Sequence, residues 1–220
     1  MGAMINTIIQ GDCLEVMKEI SEKSIDMILC DLPYGTTACK WDTIIPFEPL
    51  WEQYKRVIKK NSAIVLFGRE PFTSKLIISN IKEYKHKWVW NKKQSGSFQN
   101  AKYMPLQIEE DVICFCEGKV KYFPLMRIGK YRKKGGSKKK NLVAEGLMPC
   151  QKYNNLYFPI NILEFPNCSN RKNNVHPTQK PVACINTNRN FIGVEKEPEY
   201  VEIARARVES AKRKREELLF

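Results

Sequence analysis

One short segment of this 220-residue chain sets two hydrogen-bond acceptors and a flat ring at a single point: Asp31-Leu32-Pro33-Tyr34-Gly35. It follows Ser24–Cys30 (SIDMILC), a continuous apolar run of the kind buried on both faces of a parallel sheet. In an open α/β sheet, ligands bind beyond the carboxyl ends of the strands, where this segment falls. Pro33 restricts Leu32 to an extended conformation, so the Leu32 carbonyl points in a fixed direction beside the Asp31 carboxylate. Two acceptors side by side are what an amino group needs if both its hydrogens are to be held, and Tyr34 offers a face on which a base can stack. An Asp-x-Pro turn also arises for structural reasons alone, so the segment does not decide the matter by itself. A second acid, Glu195, closes the strand Asn190–Val194. A carboxylate there can accept both hydroxyls of a nucleoside ribose; otherwise it is a surface residue at a strand end.

The formal net charge of +13 favours polyanionic partners, because Lys and Arg neutralise phosphates whatever the sequence of the polyanion. Solubility would also account for it. The basic residues concentrate in Lys119–Asn141, around Lys130, Arg132, Lys133, Lys134, Lys138, Lys139 and Lys140, with Gly135-Gly136 between them. That stretch is too charged to pack and reads as a DNA-contacting arm rather than a solvated linker. The eight cysteines show no C-x-x-C spacing, and only His86 and His176 are available beside them, so no metal site is expected. Cys30, Cys114 and Cys116 sit in apolar runs and read as reduced core residues. No apolar run approaches the ~20 residues of a membrane span, and the start lacks a secretory pattern. A cytoplasmic protein without membrane partners, monomeric or homodimeric, is expected.

The elements that must position these residues alternate. Strands are predicted at Ile5–Gln10, Ser24–Cys30, Ala63–Gly68, Tyr84–Trp90 and Glu110–Cys116. Helices are predicted at Cys13–Ile20, Phe47–Lys60 and Thr73–Ile81, and a charged helix at Pro198–Leu219. The rhythm argues for an α/β domain with a mostly parallel central sheet and helices on both faces.

The segment Asp31–Gly35 resembles the Asp-Pro-Pro-Tyr signature of amino-directed DNA methyltransferases, with Leu32 in place of the first proline. The order of the remaining segments resembles the permuted β-group of that family. Gly11-Asp12-Cys13-Leu14 is similar to its N-terminal segment, His176–Pro181 (HPTQKP) to the segment before its donor-binding helix, and Asn190–Glu195 with Glu199-Tyr200 to its ribose-binding strand. Three ordered motifs together are far more specific than one.

The resemblance implies a Rossmann-like methyltransferase fold using S-adenosylmethionine on double-stranded DNA, within a restriction–modification setting. It implies donor contacts at Asp12, Cys13 and Glu195, with Thr178 and Lys180 toward the donor's amino-acid end, and catalytic roles for Asp31, Leu32, Pro33 and Tyr34. The implied organisation is a catalytic half at 1–118, a recognition insertion at 119–160 and a donor-binding half at 161–220. An Asp at position 31 is more usual for adenine N6 than for cytosine N4. An RNA or small-molecule methyltransferase would share the donor site.

One expected part is absent. Between HPTQKP and the Glu195 strand the family carries a helix, a strand, a glycine-rich turn and a further helix, but here only Val182–Arg189 intervenes. A strand–helix–strand unit takes about 30 residues, so those eight cannot contain one. The chain contains no G-x-G at all. The sheet should therefore lack a strand beside the one ending in Glu195, unless a further segment separates Val182 from Ala183 in the intact protein, which the undamaged flanking motifs favour; a DNA-binding protein without catalysis is the competing expectation.

Overall fold

A computed structural model describes residues 6–37, 39, 42–96, 98–131, 155–166 and 190–217. The chain divides into two units, Met1–Lys121 with Ile162–Phe220, and Tyr122–Asn161.

The larger unit begins with strand β1 (Thr7–Gln10) and helix α1 (Cys13–Lys18), then strand β2 (Ile25–Cys30), which runs into the Asp31 turn. Helix α2 (Phe47–Val57) buries Leu50, Trp51, Tyr54 and Val57, a stripe at helical spacing. Its neighbour α1 is tied to it by Arg56, whose guanidinium donates to the carbonyls of Met17 and Ile20. The helix was expected to reach Lys60. It stops at Ile58, whose β-branched side chain is extended, buried and paired with Ile25, so strand β3 (Ile58–Gly68) starts earlier than expected. Helix α3 (Phe72–Ser79), strand β4 (Tyr84–Asn91) and strand β5 (Glu109–Phe115) follow. After the smaller unit come strands β8 (Ile162–Glu164) and β9 (Ile192–Glu195) and helix α4 (Pro198–Glu217).

The central sheet has five strands in the order β2-β3-β5-β4-β8 and is mixed rather than mostly parallel. β2 with β3 and β4 with β8 are parallel, whereas β5 is antiparallel to both neighbours. The reason lies in the connection after β4. Parallel neighbours need a crossover, usually helical. The described residues between 92 and 108 carry no α-helix, and the segment folds back, with the Lys92 amide donating to the Ile108 carbonyl at 2.9 Å. The core on one face is built from Leu50, Trp51, Ile64, Leu66, Phe72, Leu76, Ile113 and Phe115.

β1 and β9 form a separate parallel pair, Thr7 opposite Ile192 through Gln10 opposite Glu195. Helix α4 lies on this pair: Val201 is buried, and Arg205 donates to the Ile8 carbonyl at 3.2 Å. Among the described residues β2 is bonded only to β3, and β9 only to β1. The expectation that β2 is buried on both faces is corrected: Ile28 and Cys30 pack on the core, but Met27 and Leu29 are 40% and 42% exposed.

The smaller unit contains a two-stranded antiparallel ribbon, β6 (Arg127–Ile128) with β7 (Leu156–Tyr157). The Tyr157 hydroxyl donates to the Lys130 carbonyl at 2.8 Å, and the Arg127 Nε to the Phe158 carbonyl at 3.3 Å.

Candidate active site

The Asp31 turn is held from below and from the side. Leu32, an apolar residue inside an otherwise polar turn, is 4% exposed and belongs to the main core, which pins the backbone whose carbonyl was singled out. Gly35 has φ +66, the left-handed region in which a side chain is strained, and a Cβ there would stand 2.9 Å from Ile44 Cγ1. The return of the chain is fixed by one carboxylate. Asp42 accepts from the Gly35 amide at 2.8 Å, the Thr36 amide at 2.9 Å, and the Thr37 amide and hydroxyl at 2.7 Å each. Burial pushes the Asp42 carboxyl up, but the Thr37 hydroxyl and the three amides outweigh it and hold the pKa below the ordinary carboxylate value.

Tyr34 turns back on its own turn. Its hydroxyl donates to Asp31 Oδ1 at 2.9 Å, which fixes the rotation of that carboxylate. Its ring stacks on Phe72, centroids 5.2 Å apart at 27°, and also meets Phe67, Trp90 and Val112. Burial first, then the negative charges of Asp31 and Glu110, push the phenol well above its ordinary pKa, so it stays a neutral donor. Asp31 itself is exposed. The turn thus offers an oriented carboxylate beside a rigidly held peptide carbonyl.

The second acid stands on the β1–β9 pair. Glu195 is half-buried, and its Oε1 accepts from the Glu197 amide at 2.9 Å. The Gly11 amide donates to the Glu195 carbonyl at 3.0 Å, which brings Asp12 beside it. Asp12 caps α1 by accepting from the Leu14 amide at 2.9 Å. Cys30 shows that the strand ends converge. Its thiol is pushed up to about 12 by burial; a hydrogen bond with Tyr54 lowers it, while Asp31, Cys13 and Glu195 add negative potential that raises it. Asp31, Cys13 and Glu195 therefore all lie within electrostatic reach of one buried thiol, at the carboxyl ends of β1, β2 and β9.

The structure brings together Asp12, Cys13, Asp31, Leu32, Pro33, Tyr34 and Glu195. Cys13 is half-buried with its thiol pushed up, chiefly by burial. Lys130 is exposed in the smaller unit. Thr178, Lys180, Arg132, Lys133, Lys134, Lys138, Lys139 and Lys140 lie outside the described residues. Sequence reasoning passed over Asp42, Phe72 and Glu110. Asp42 carried a faint signal, an acid shortly after a Gly-Thr-Thr turn whose amides need an acceptor; the other two are legible only in space.

Residues 25–186 match the family model described as DNA methylase. The chain belongs to the DNA methylase family. This methylase is 25% identical over 251 residues to the type II methyltransferase M.HpaI of Haemophilus parainfluenzae, covering 94% of this chain and 75% of that protein. It is 26% identical over 253 residues to the DNA adenine methyltransferase YhdJ of Escherichia coli (strain K12), covering 96% of this chain and 85% of that one. Its fold matches the M1.HpyAVI–SAM complex with a TM-score of 0.59 at 20% identity, covering 92% of this chain and 98% of that chain. It matches the cytosine-N4-specific PvuII DNA methyltransferase with a TM-score of 0.59 at 14% identity, covering 93% and 89%.

S-adenosylmethionine is the cofactor of this methylase fold. The acids expected to meet its nucleoside end lie near each other: Asp12 follows β1 and Glu195 ends β9, strands paired in parallel, with the Gly11 amide on the Glu195 carbonyl. Its amino-acid end does not fit. The sequence holds no G-x-G, and among the described residues no strand flanks β9 opposite β1.

Proposed function

We propose that this methylase modifies the exocyclic amino group of a DNA base, adenine N6 in preference to cytosine N4. The observation that carries the reading is the pairing of Tyr34 with Asp31 beside the fixed Leu32 carbonyl, at strand ends shared with Glu195. A stacked base cannot enter such a turn, so the target is flipped out of the duplex at a cost of a few kcal/mol. Asp31 and the Leu32 carbonyl accept the two amino hydrogens and hold the nitrogen lone pair in one direction. The Tyr34 ring, backed by Phe72, supplies a stacking surface worth about 1–3 kcal/mol. The donor supplies a methyl group on an electrophilic sulfur. Because the acceptors are set before the base arrives, the protein's contribution is positioning and preorganised electrostatics, and no cysteine nucleophile is involved. Lys130, Arg132, Lys133, Lys134, Lys138, Lys139 and Lys140 supply phosphate contacts, with Thr178 and Lys180 toward the donor.

Labelled-methyl transfer followed by nucleoside analysis tests the reading. N6-methyladenine is the expected product, N4-methylcytosine would move the substrate, and label in RNA alone would overturn it. A second reading, DNA binding without catalysis, is favoured by the absent G-x-G. Under it, DNA binds and no label transfers under any condition.

A further inference from the structure

Cations on and just after β4 stand beside acids: Lys87 is 2.9 Å from Asp111, Lys92 3.2 Å from Glu110, and Lys93 3.4 Å from Glu164. Arg69 differs. It is half-buried, it directly follows Gly68 at the end of β3, and it has no ion pair among the described residues. Its Nε donates to Gln107 Oε1 at 2.7 Å, and its Nη2 donates to the same oxygen. Among the described residues nothing accepts from Nη1. A guanidinium keeps its proton in proteins, so the charge persists however it is sheltered. One neutral amide oxygen meets two of its N–H groups and none of the charge. Sheltered charges are ordinarily paired, so a guanidinium left in this state marks a place for an anion.

Its place in the fold says which anion. Cys30 lies opposite Leu66 in the parallel β2–β3 register, so Asp31 and Arg69 leave adjacent strands at the same edge of the sheet. Strand spacing and rise put their backbones within about 10 Å of each other, a separation that a nucleotide bridges between base and phosphate. Arg69 also opens the turn into α3. Its carbonyl accepts from the Thr73 amide at 3.0 Å, and the neighbouring Phe72 stacks on Tyr34. The guanidinium is therefore fastened to the framework that holds the Asp31 turn, on one side through the backbone and on the other through Gln107.

We propose that Arg69 binds a phosphodiester flanking the target nucleotide, through the guanidinium edge that Gln107 leaves free, and so registers the strand while Asp31 holds the base. The proposal rests on the reading of Asp31 as the base-facing acid. Phosphate contacts fix the register of a nucleic acid without reading its sequence, and a planar fork tied at one edge presents its remaining donors in a set direction. Fastening the segment between 92 and 108 would use only the two donors that Gln107 accepts, and would not call for a charge.

The test uses the whole chain and a short single strand of thymines carrying one central adenine, with the phosphate on either side of that adenine replaced in turn by an uncharged methylphosphonate. Fluorescence anisotropy reads the affinity. The wild type is expected to lose about tenfold on one of the two replacements. Arg69→Gln should lose about tenfold on the unmodified strand and nothing further on that replacement, with circular dichroism unchanged; Arg69→Met repeats the cycle if the glutamine variant does not fold. The log–log salt slope of Arg69→Gln should be shallower by about 0.7, one phosphate's share on a single strand. Arg69→Lys keeps the charge but not the two-pronged bond to Gln107, so it should stay sensitive to the replacement, which a purely fastening residue would not. Equal binding of modified and unmodified strands by the wild type would overturn the proposal. So would an Arg69→Gln loss that simply adds to that of the replacement. Weaker S-adenosylmethionine binding by Arg69→Gln in calorimetry, without phosphate coupling, would also overturn it and assign the guanidinium to the donor's carboxylate. Coupling around a central cytosine but not adenine would sustain the phosphate site and sink the preference for adenine.

Discussion

The two ends of the site are built to different standards. The base-facing turn hangs from the five-stranded sheet, with Leu32 in the core, four hydrogen bonds converging on Asp42, and Phe72 behind Tyr34. The acids proposed to face the nucleoside stand at the ends of a pair of four-residue strands, packed by α4 and, at β9, by α1. Rigidity at the first end needs nothing from outside the described residues, whereas at the second β9 has one edge with no partner among the described residues. On the proposed reading, gripping a base and holding a donor are separable, and loss of one need not entail loss of the other.

Substitutions can break or sharpen that contrast. Asp31→Asn should have the largest effect, lowering methyl transfer by about 10²–10³-fold, the cost of losing one preorganised partner. Filter binding should show nonspecific DNA affinity within about twofold, because the proposed phosphate contacts lie elsewhere. Asp42→Ala should destabilise the fold by about 1–2 kcal/mol in urea titrations, since it removes the charged acceptor shared by four donors, whose own residues Gly35, Thr36 and Thr37 are exposed and can turn to water. The sign of its pH dependence follows from the lowered folded pKa. The stabilisation is present above the ordinary carboxylate value and lost as pH falls through the folded value, so Asp42→Asn should flatten the stability profile below about pH 4. Tyr34→Phe should slow transfer about tenfold through a freer Asp31, with little change in unfolding midpoint. Arg205→Ala should be the mildest, about 0.5–1 kcal/mol, seen as faster exchange in β1 and β9 and none in β3 or β5. Equal acceleration in all four strands would deny the contrast.

The site was legible where chemistry is local in sequence. Glu195 ends a strand, and Asp31, Tyr34 and Asp12 follow within a few residues of one, and strand ends announce themselves through apolar runs that stop at polar residues. The order of motifs and the shortfall between Pro181 and Asn190 were visible for the same reason. The reversal of β5 was not, because a strand buried on both faces reads alike in either direction, and only the loop at 92–108 distinguishes the two. Exposure of Met27 and Leu29 was hidden because an apolar strand advertises the burial it is suited to, not the neighbours it has. Asp42 escaped notice since its partners are backbone amides, which every residue carries.

Asp12 has an observed duty beside its proposed one, with an evolutionary corollary. Its carboxylate caps α1 whether or not a nucleoside is present, a service worth about 1 kcal/mol. In lineages that ceased to use a donor, purifying selection would still keep an acid, Asn or Ser at that position for the helix alone. Glu195, which accepts from the Glu197 amide, is sheltered in the same way. Survival of these two acids among descendants would therefore say little about retained activity, while drift at Asp31 would mark a lineage in which the base is no longer handled.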